Sequence, residues 1–322
     1  MAKLVNLDAM IKREDLDVAD KDPALIAVTV SIKASDLEQT SATFNTLRKP
    51  DFQRETANWT AEKIADLIEN FLDGDLIPSV VIWRSNKSGK LFVIDGAHRL
   101  SALIAWVNDD YGSSAISKSF FGEIEKSQIG IAKEAKRVVE SRVGSYSEFK
   151  KYLQDPNGAP DSKTLLRARN MAAVSFTIQD VRGDVTNAER SFLKINQSAT
   201  PIHPTELTMI QARKKPNALA ARALLRAGSG HEYWWEFDDN TKKNIVSLAR
   251  DIYENLFKPL LESPIRTLEL PAAGQALTPD SLDLVFTLVN HINGAVDTST
   301  VPFRWRYNWA SRSASIKGKV KS

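Results

Sequence analysis

Cysteine is missing altogether from the 322 residues. Disulfides, thiolate nucleophiles and cysteine-ligated zinc are therefore excluded. Histidine is scarce: His98, His203, His231 and His291 stand far apart, without the spacing of metal ligands, so no zinc site is expected. No apolar run approaches the ~20 residues needed to cross a bilayer. The opening "MAKLVNLDAMIKREDLD" lacks the apolar stretch of a secretion signal, so the expectation is a cytoplasmic protein with no membrane partner. Neither sign of charge dominates. Lys and Arg number 43 against 40 Asp and Glu, and a net charge of +3 says little about partners.

What is present reads as ordinary globular chain, 43% hydrophobic and 26% charged, and long enough for two domains. In "ALIAVTVSIKASDL" alternation and β-branched residues predict a strand. "LRKPDFQRETANW" reads as an extended loop around Pro50, with Gln53 and Arg54 at its centre. Thr60 is a helix N-cap and Gly74 a C-cap. Between them Ile64, Leu67, Ile68 and Phe71 fall on one face. "IPSVVIWR" and "KLFVI" form a hairpin across "SNKSG". Residues 124 to 153 read as helical, with a capping box at Ser145 and Glu148, and a second box is read at Thr186 and Glu189. "DPNGAPDS" is a loop and "AAVSFTIQDV" a strand. Helices are predicted over 205–214, 216–226, 240–261 and 280–293. No internal repeat or low-complexity tract occurs. The fold class is therefore α+β. An N-terminal segment with one strand (1–45) precedes a core with a small mixed sheet (46–210) carrying a helical insertion (110–170). A helical C-terminal domain (211–322) ends in a basic tail.

The chemistry concentrates in "VIDGAHRLSAL", residues 93 to 103. A strand ends in Asp95-Gly96, His98 and Arg99 follow, and a helix begins. A helix N-terminus presents unpaired N–H groups and a positive dipole end. Gly96 lets a ligand approach the backbone. Arg99 suits bidentate phosphate recognition, and His98 can donate a hydrogen bond or carry a proton. Asp95 can hold Mg2+ through one carboxylate or orient the arginine. The plainer alternative is an Asp-Gly turn whose aspartate caps a helix and whose arginine pairs with a surface carboxylate. Residue chemistry alone leaves both open.

This stretch resembles the "DGQxR" segment of the ParB/sulfiredoxin-like superfamily, and is most similar to the N-terminal domains of GmrSD-type restriction endonucleases and to DGQHR-domain proteins related to DndB. "PDFQRETANWTAEKIADLIENFLDG", "LIPSVVIW" and "SFLKINQSATPIHPTEL" resemble further family elements in the same order, over roughly residues 45 to 210. The resemblance implies nucleoside-triphosphate binding, and in some members hydrolysis. It places Asp95, Gly96, His98 and Arg99 at the phosphates and adds Gln53, Arg54 and Asn196 to the site. Arg54 would bring a second guanidinium, or else serve a structural ion pair. Asn196 would bond a ribose, a base edge or water, or else cap a helix. The implied reaction uses Asp95, His98 and Arg99 as the catalytic set, with Mg2+ on Asp95. Two departures stand out. Ala97 takes the place of the usual glutamine, and the missing cysteine rules out sulfiredoxin chemistry. The histidine spacing of a ββα-metal nuclease does not occur after residue 210, so DNA cutting would fall to a separate nuclease subunit. The setting is DNA restriction-modification or phage defence.

The tail from Phe303 onward holds Arg304, Arg306, Arg312, Lys317, Lys319 and Lys321 and no acidic residue. In "FRWRYNW" arginines alternate with aromatics, which suits base stacking with phosphate contacts, an edge strand, or a solvated end. Arg304, Arg306, Lys317 and Lys319 are the nucleic-acid candidates. They support the rival reading of a DndB-type DNA-binding regulator without turnover. A ParB-like nuclease is the third reading. "HEYWWEFDDN" sets Trp234 and Trp235 among four acidic residues, which favours a core plug over base stacking. "AKEAKRVVESRVG" reads as a helix with a solvated face.

Overall fold

The computed structural model describes residues 3–16, 31–53, 55–199, 203–259, 274 and 278–298. It divides into two compact units, 1–199 and 200–322.

The first unit runs β1 (Leu4–Val5), β2 (Lys12–Glu14), β3 (Ser31–Lys33), α1 (Ala42–Thr46), β4 (Leu47–Pro50), β5 (Trp59–Thr60), α2 (Ala61–Asp73), β6 (Val80–Arg84), β7 (Leu91–Asp95) and α3 (Ala97–Val107). Four helices follow: α4 (Ala115–Phe121), α5 (Lys126–Arg142), α6 (Tyr146–Gln154) and α7 (Ser162–Ala173). β8 (Ser175–Val181) and α8 (Val185–Ala199) complete it. β1 pairs with β5. The other strands form a six-stranded mixed sheet in the order β2-β4-β7-β6-β8-β3. The β6–β7 hairpin is antiparallel, whereas β4 runs parallel to both β2 and β7. The fold is α+β, as the sequence predicts.

Alternation along the hairpin assigns its faces. Ile82, Leu91 and Val93 join the main core with Ile64, Ile68 and Phe71 of α2 and Leu100, Leu103 and Ile104 of α3. Trp83 and Phe92, one residue out of step, face the other way and pair with ring centroids 5.6 Å apart. Each fully buried aliphatic side chain on α2 contributes about 1.5–3 kcal/mol. α2 begins and ends as its sequence dictates. The Thr60 side chain accepts from the Lys63 N–H, and Gly74 closes the helix with φ 78°. The predicted capping box at Ser145 and Glu148 is present in both directions.

Several expectations are corrected. The first 45 residues, read as a segment with one strand, hold three among the described residues, and Val5, Leu7, Met10 and Ile11 are buried in the core. β3 falls in the stretch where alternation predicts a strand, whereas β1 and β2 are too short for alternation to register. "LRKP", read as loop, is strand β4; a central position between β2 and β7 outweighs the terminal proline, which donates nothing to the ladder. Thr186 does not cap α8. Asp184 does, accepting from the Asn187 N–H at 3.0 Å. The carboxylate one residue before the helix outcompetes the hydroxyl inside it.

The second unit is helical in its described part: α9 (Pro204–Gln211), α10 (Pro216–Leu225), α11 (Asp239–Phe257) and α12 (Pro279–Thr298). Trp234 is buried in its core with Leu225, Phe257 and Phe286. Trp235 is half exposed, so only the first tryptophan of the pair acts as a plug. No helix among the described residues is long and apolar enough to cross a membrane. The basic tail, including Arg304, Arg306, Lys317 and Lys319, lies outside the described residues.

Candidate functional site

β7 delivers Asp95 to the sheet end, and Gly96 turns the chain into α3. Gly96 has φ 94° and ψ 10°, a left-handed conformation that L side chains rarely adopt. A Cβ there would sit 3.2 and 3.3 Å from the Val80 methyls and 3.0 Å from Arg99 Nη2. Glycine is thus required twice, for the backbone angle and for the space. As N-cap, Gly96 has no side chain to cap the first turn of α3, and that turn carries no acidic residue. The first N–H groups of the helix therefore keep their affinity for an outside anion.

Arg99 folds back over this turn. Its Nη2 donates to Asp95 Oδ2 at 2.9 Å and to the Ser79 carbonyl at 3.1 Å. The arginine side chain is 20% exposed and that of Asp95 39%. The pair fits both readings of the sequence, an aspartate that orients the arginine and an arginine that pairs with a surface carboxylate. At this exposure the pair contributes little to stability, so its significance is positional. Arg99 Nε is buried without a hydrogen-bond partner among the described residues. A buried donor on a charged group left unsatisfied is uncommon and calls for an explanation.

Gln53 stands next to the turn. Its Nε2 donates to the Ile94 carbonyl across a long 3.4 Å, and its Oε1 is buried without a partner among the described residues. Two side chains flanking one turn thus each leave one polar atom unsatisfied. His98 stacks on Trp59, with ring centroids 5.8 Å apart and planes at 27°. Trp59 belongs to β5, whose partner strand is β1. The structure brings Gln53, Asp95, Gly96, His98 and Arg99 to one end of the sheet. Arg54 lies outside the described residues, as does the side chain of Asn196, which falls within α8 rather than at its end.

A buried charge cluster supports the Gln53 loop. Asp8 Oδ1 accepts from Lys49 Nζ at 2.6 Å, Arg13 Nη2 at 2.7 Å and the Thr56 N–H at 3.1 Å. Its Oδ2 accepts from Arg13 Nε at 3.0 Å. Arg13 Nη1 donates onward to the carbonyls of Asp51 and Gln53, and Lys49 Nζ to Thr56 Oγ1 at 3.1 Å. The side chains of Arg13 and Lys49 are fully buried and that of Asp8 is 3% exposed. A buried carboxylate between two cations satisfies the requirement that interior charges be paired and hydrogen bonded. Sequence reading misses Asp8, Arg13 and Lys49 because Lys49 lies 41 residues from Asp8 and the Asp8–Arg13 pair, five residues apart, carries no motif. Trp59 is likewise not singled out, although it lies in the stretch "LRKPDFQRETANW".

Among the described residues no group of three or more histidines, aspartates and glutamates is placed to hold a metal ion. Asp95 offers a single carboxylate, which suits magnesium only where phosphate and water complete the shell.

The GmrSD restriction endonuclease, N-terminal domain, matches residues 36–211, more than half of the chain. The chain belongs to this family. The GmrSD match spans the whole turn, the Gln53 loop and α8, and it begins after Asp8 and Arg13. Neither the curated proteins nor the solved structures compared with the chain contain a match.

Proposed function

We propose that this chain is the nucleotide-binding component of a DNA restriction or phage-defence system, and that the turn at residues 95–99 holds the phosphates of a nucleoside triphosphate. The observation that carries the reading is the left-handed Asp95–Gly96 turn into an uncapped helix, with a guanidinium held over it by Asp95. The family supports the restriction setting.

The chain's own groups divide the work. The N–H groups at the start of α3 bind phosphate oxygens, and its dipole favours negative charge there. Arg99 supplies a charge-assisted donor, and its buried Nε has no partner among the described residues. Asp95 fixes the guanidinium and offers its carboxylate to the magnesium that accompanies a triphosphate. Arg54 adds a second guanidinium. Gln53, with an unsatisfied Oε1, orients a water or a donor on the ligand. His98, held against Trp59, donates or carries a proton. Asn196 bonds the ribose or a base edge. Preorganised charge of this kind serves binding and phosphoryl transfer alike, so the same cradle supports hydrolysis. In this reading the first unit is a ParB/sulfiredoxin-like domain of DGQHR type, and DNA cleavage belongs to a separate nuclease subunit.

The test is calorimetric titration of ATP, GTP, CTP and UTP, each with magnesium, into wild type and Arg99→Ala. Wild type should bind at least one, and the variant at least about tenfold more weakly, the scale of one lost charged hydrogen bond. Equal affinity in a folded variant refutes the assignment. Phosphate release then measures turnover.

A further inference from the structure

We infer that Asp8 and Arg13, which precede the family-matched region, are positioning residues of the site, clamping the loop that carries Gln53 against the Asp95–Gly96 turn. The inference rests on the nucleotide reading for its functional consequence, and on hydrogen bonds alone for the clamp itself.

The loop between β4 and β5 is fixed from both ends by one carboxylate. At its start, Arg13 bridges Asp8 to the carbonyls of Asp51 and Gln53. At its end, the Thr56 N–H donates directly to Asp8, and the Leu7 N–H donates to the Thr56 carbonyl at 2.8 Å. Lys49 closes the figure, reaching the Asp8 carboxylate, the Asp8 carbonyl at 3.0 Å and the Thr56 hydroxyl. Every fixed point is backbone or an interior side chain. The loop thereby presents Gln53 to the Ile94 carbonyl, one residue before Asp95.

Loop segments held only by solvent-exposed bonds open readily, whereas this one is tied to a buried cluster. An anion site gains from such fixing because the ordering cost is met during folding rather than on binding. Arginine is the residue that can do this. Its planar fork serves Asp8 through Nε and Nη2 while Nη1 serves the loop carbonyls. Lysine could keep the ion pair but not the two loop contacts.

The experiment compares wild type and Arg13→Lys in the full chain, by amide hydrogen exchange and by titration of ATP with magnesium. Exchange in the peptide covering 51–57 should accelerate about tenfold or more, with α3 amides unchanged, and ATP affinity should fall by a similar factor. Thr56→Val, which removes the Lys49 acceptor and keeps the N–H to Asp8, should show the same pattern more weakly and serves if Arg13→Lys does not fold. A purely structural role for the cluster would lower the melting temperature and speed exchange everywhere, leaving 51–57 no faster than the rest, and that result overturns the proposal. Selective loosening of 51–57 with wild-type ATP affinity also overturns it. If wild type itself binds no nucleotide, the nucleotide reading falls, and selective exchange at 51–57 still decides whether the clamp exists.

Discussion

Replacing Gly96 by alanine tests the turn with one methyl group. A left-handed conformation costs an L residue about 1–2 kcal/mol. The added carbon would lie 3.2 and 3.3 Å from the methyls of Val80, which is fully buried in the main core and has no room to retreat. Overpacking of that kind costs about 1–3 kcal/mol. Together they set an expected loss of about 2–5 kcal/mol for the first unit. The same carbon reaches 3.0 Å from Arg99 Nη2, the atom that donates to Asp95 and Ser79, so the guanidinium must move and nucleotide affinity should fall with stability. Urea unfolding followed by circular dichroism reads the first effect, as a lower midpoint with unchanged slope. Hydrogen exchange of α3 amides assigns the transition to this unit. Gly130 is the internal control. It is exposed within α5, and a Cβ there would meet nothing within 4 Å. Gly130→Ala should therefore stabilise by roughly 0.5–1 kcal/mol, because alanine loses less backbone entropy in a helix. The same substitution thus carries opposite signs at the two positions. A Gly96→Ala protein within about 0.5 kcal/mol of wild type would refute both the left-handed turn and its packing on Val80.

Two further outcomes are expected. Arg167 of α7 donates to Asp73 and Glu69 of α2, and its guanidinium holds both carboxyls below their ordinary values. Depressed folded-state pKa values give stability that is present above the unfolded values near 4 and is lost as pH falls through the folded ones. Arg167→Met should cost about 1–2 kcal/mol at pH 7, and the gap to wild type should close in urea melts below about pH 4. A gap independent of pH would refute the ion-pair account. Removing residues 303–322 should weaken binding to duplex DNA and flatten its dependence on salt, since up to six cations are lost with them. An unchanged salt slope would exclude the tail from DNA contact.

The turn was legible in the sequence because its chemistry is local. Asp95, Gly96, His98 and Arg99 lie within five residues, and the strand-to-helix change of period falls between them, so pattern and geometry report the same junction. The caps of α2 and the box at Ser145 are local in the same sense. What escaped is non-local. "LRKP" looks like a loop until β2 and β7 flank it, because its hydrogen bonds go to segments more than 30 residues away. Asp8 and Arg13 sit in a stretch of mixed composition with no period, and Lys49 looks like any surface lysine. Their burial follows from one another. A carboxylate in the interior demands cations, a buried lysine demands a carboxylate, and neither demand is written in the neighbouring residues. The exposed version of each charge would cost nothing, which is why sequence reading defaults to it. The chain buries all three against the Gln53 loop, where Arg13 donates to the carbonyls of Asp51 and Gln53 and Asp8 accepts from the Thr56 N–H. A hydrophobic cluster of the same volume would hold the loop about as firmly, but would offer no donors to the carbonyls of Asp51 and Gln53 and so could not set which way they point.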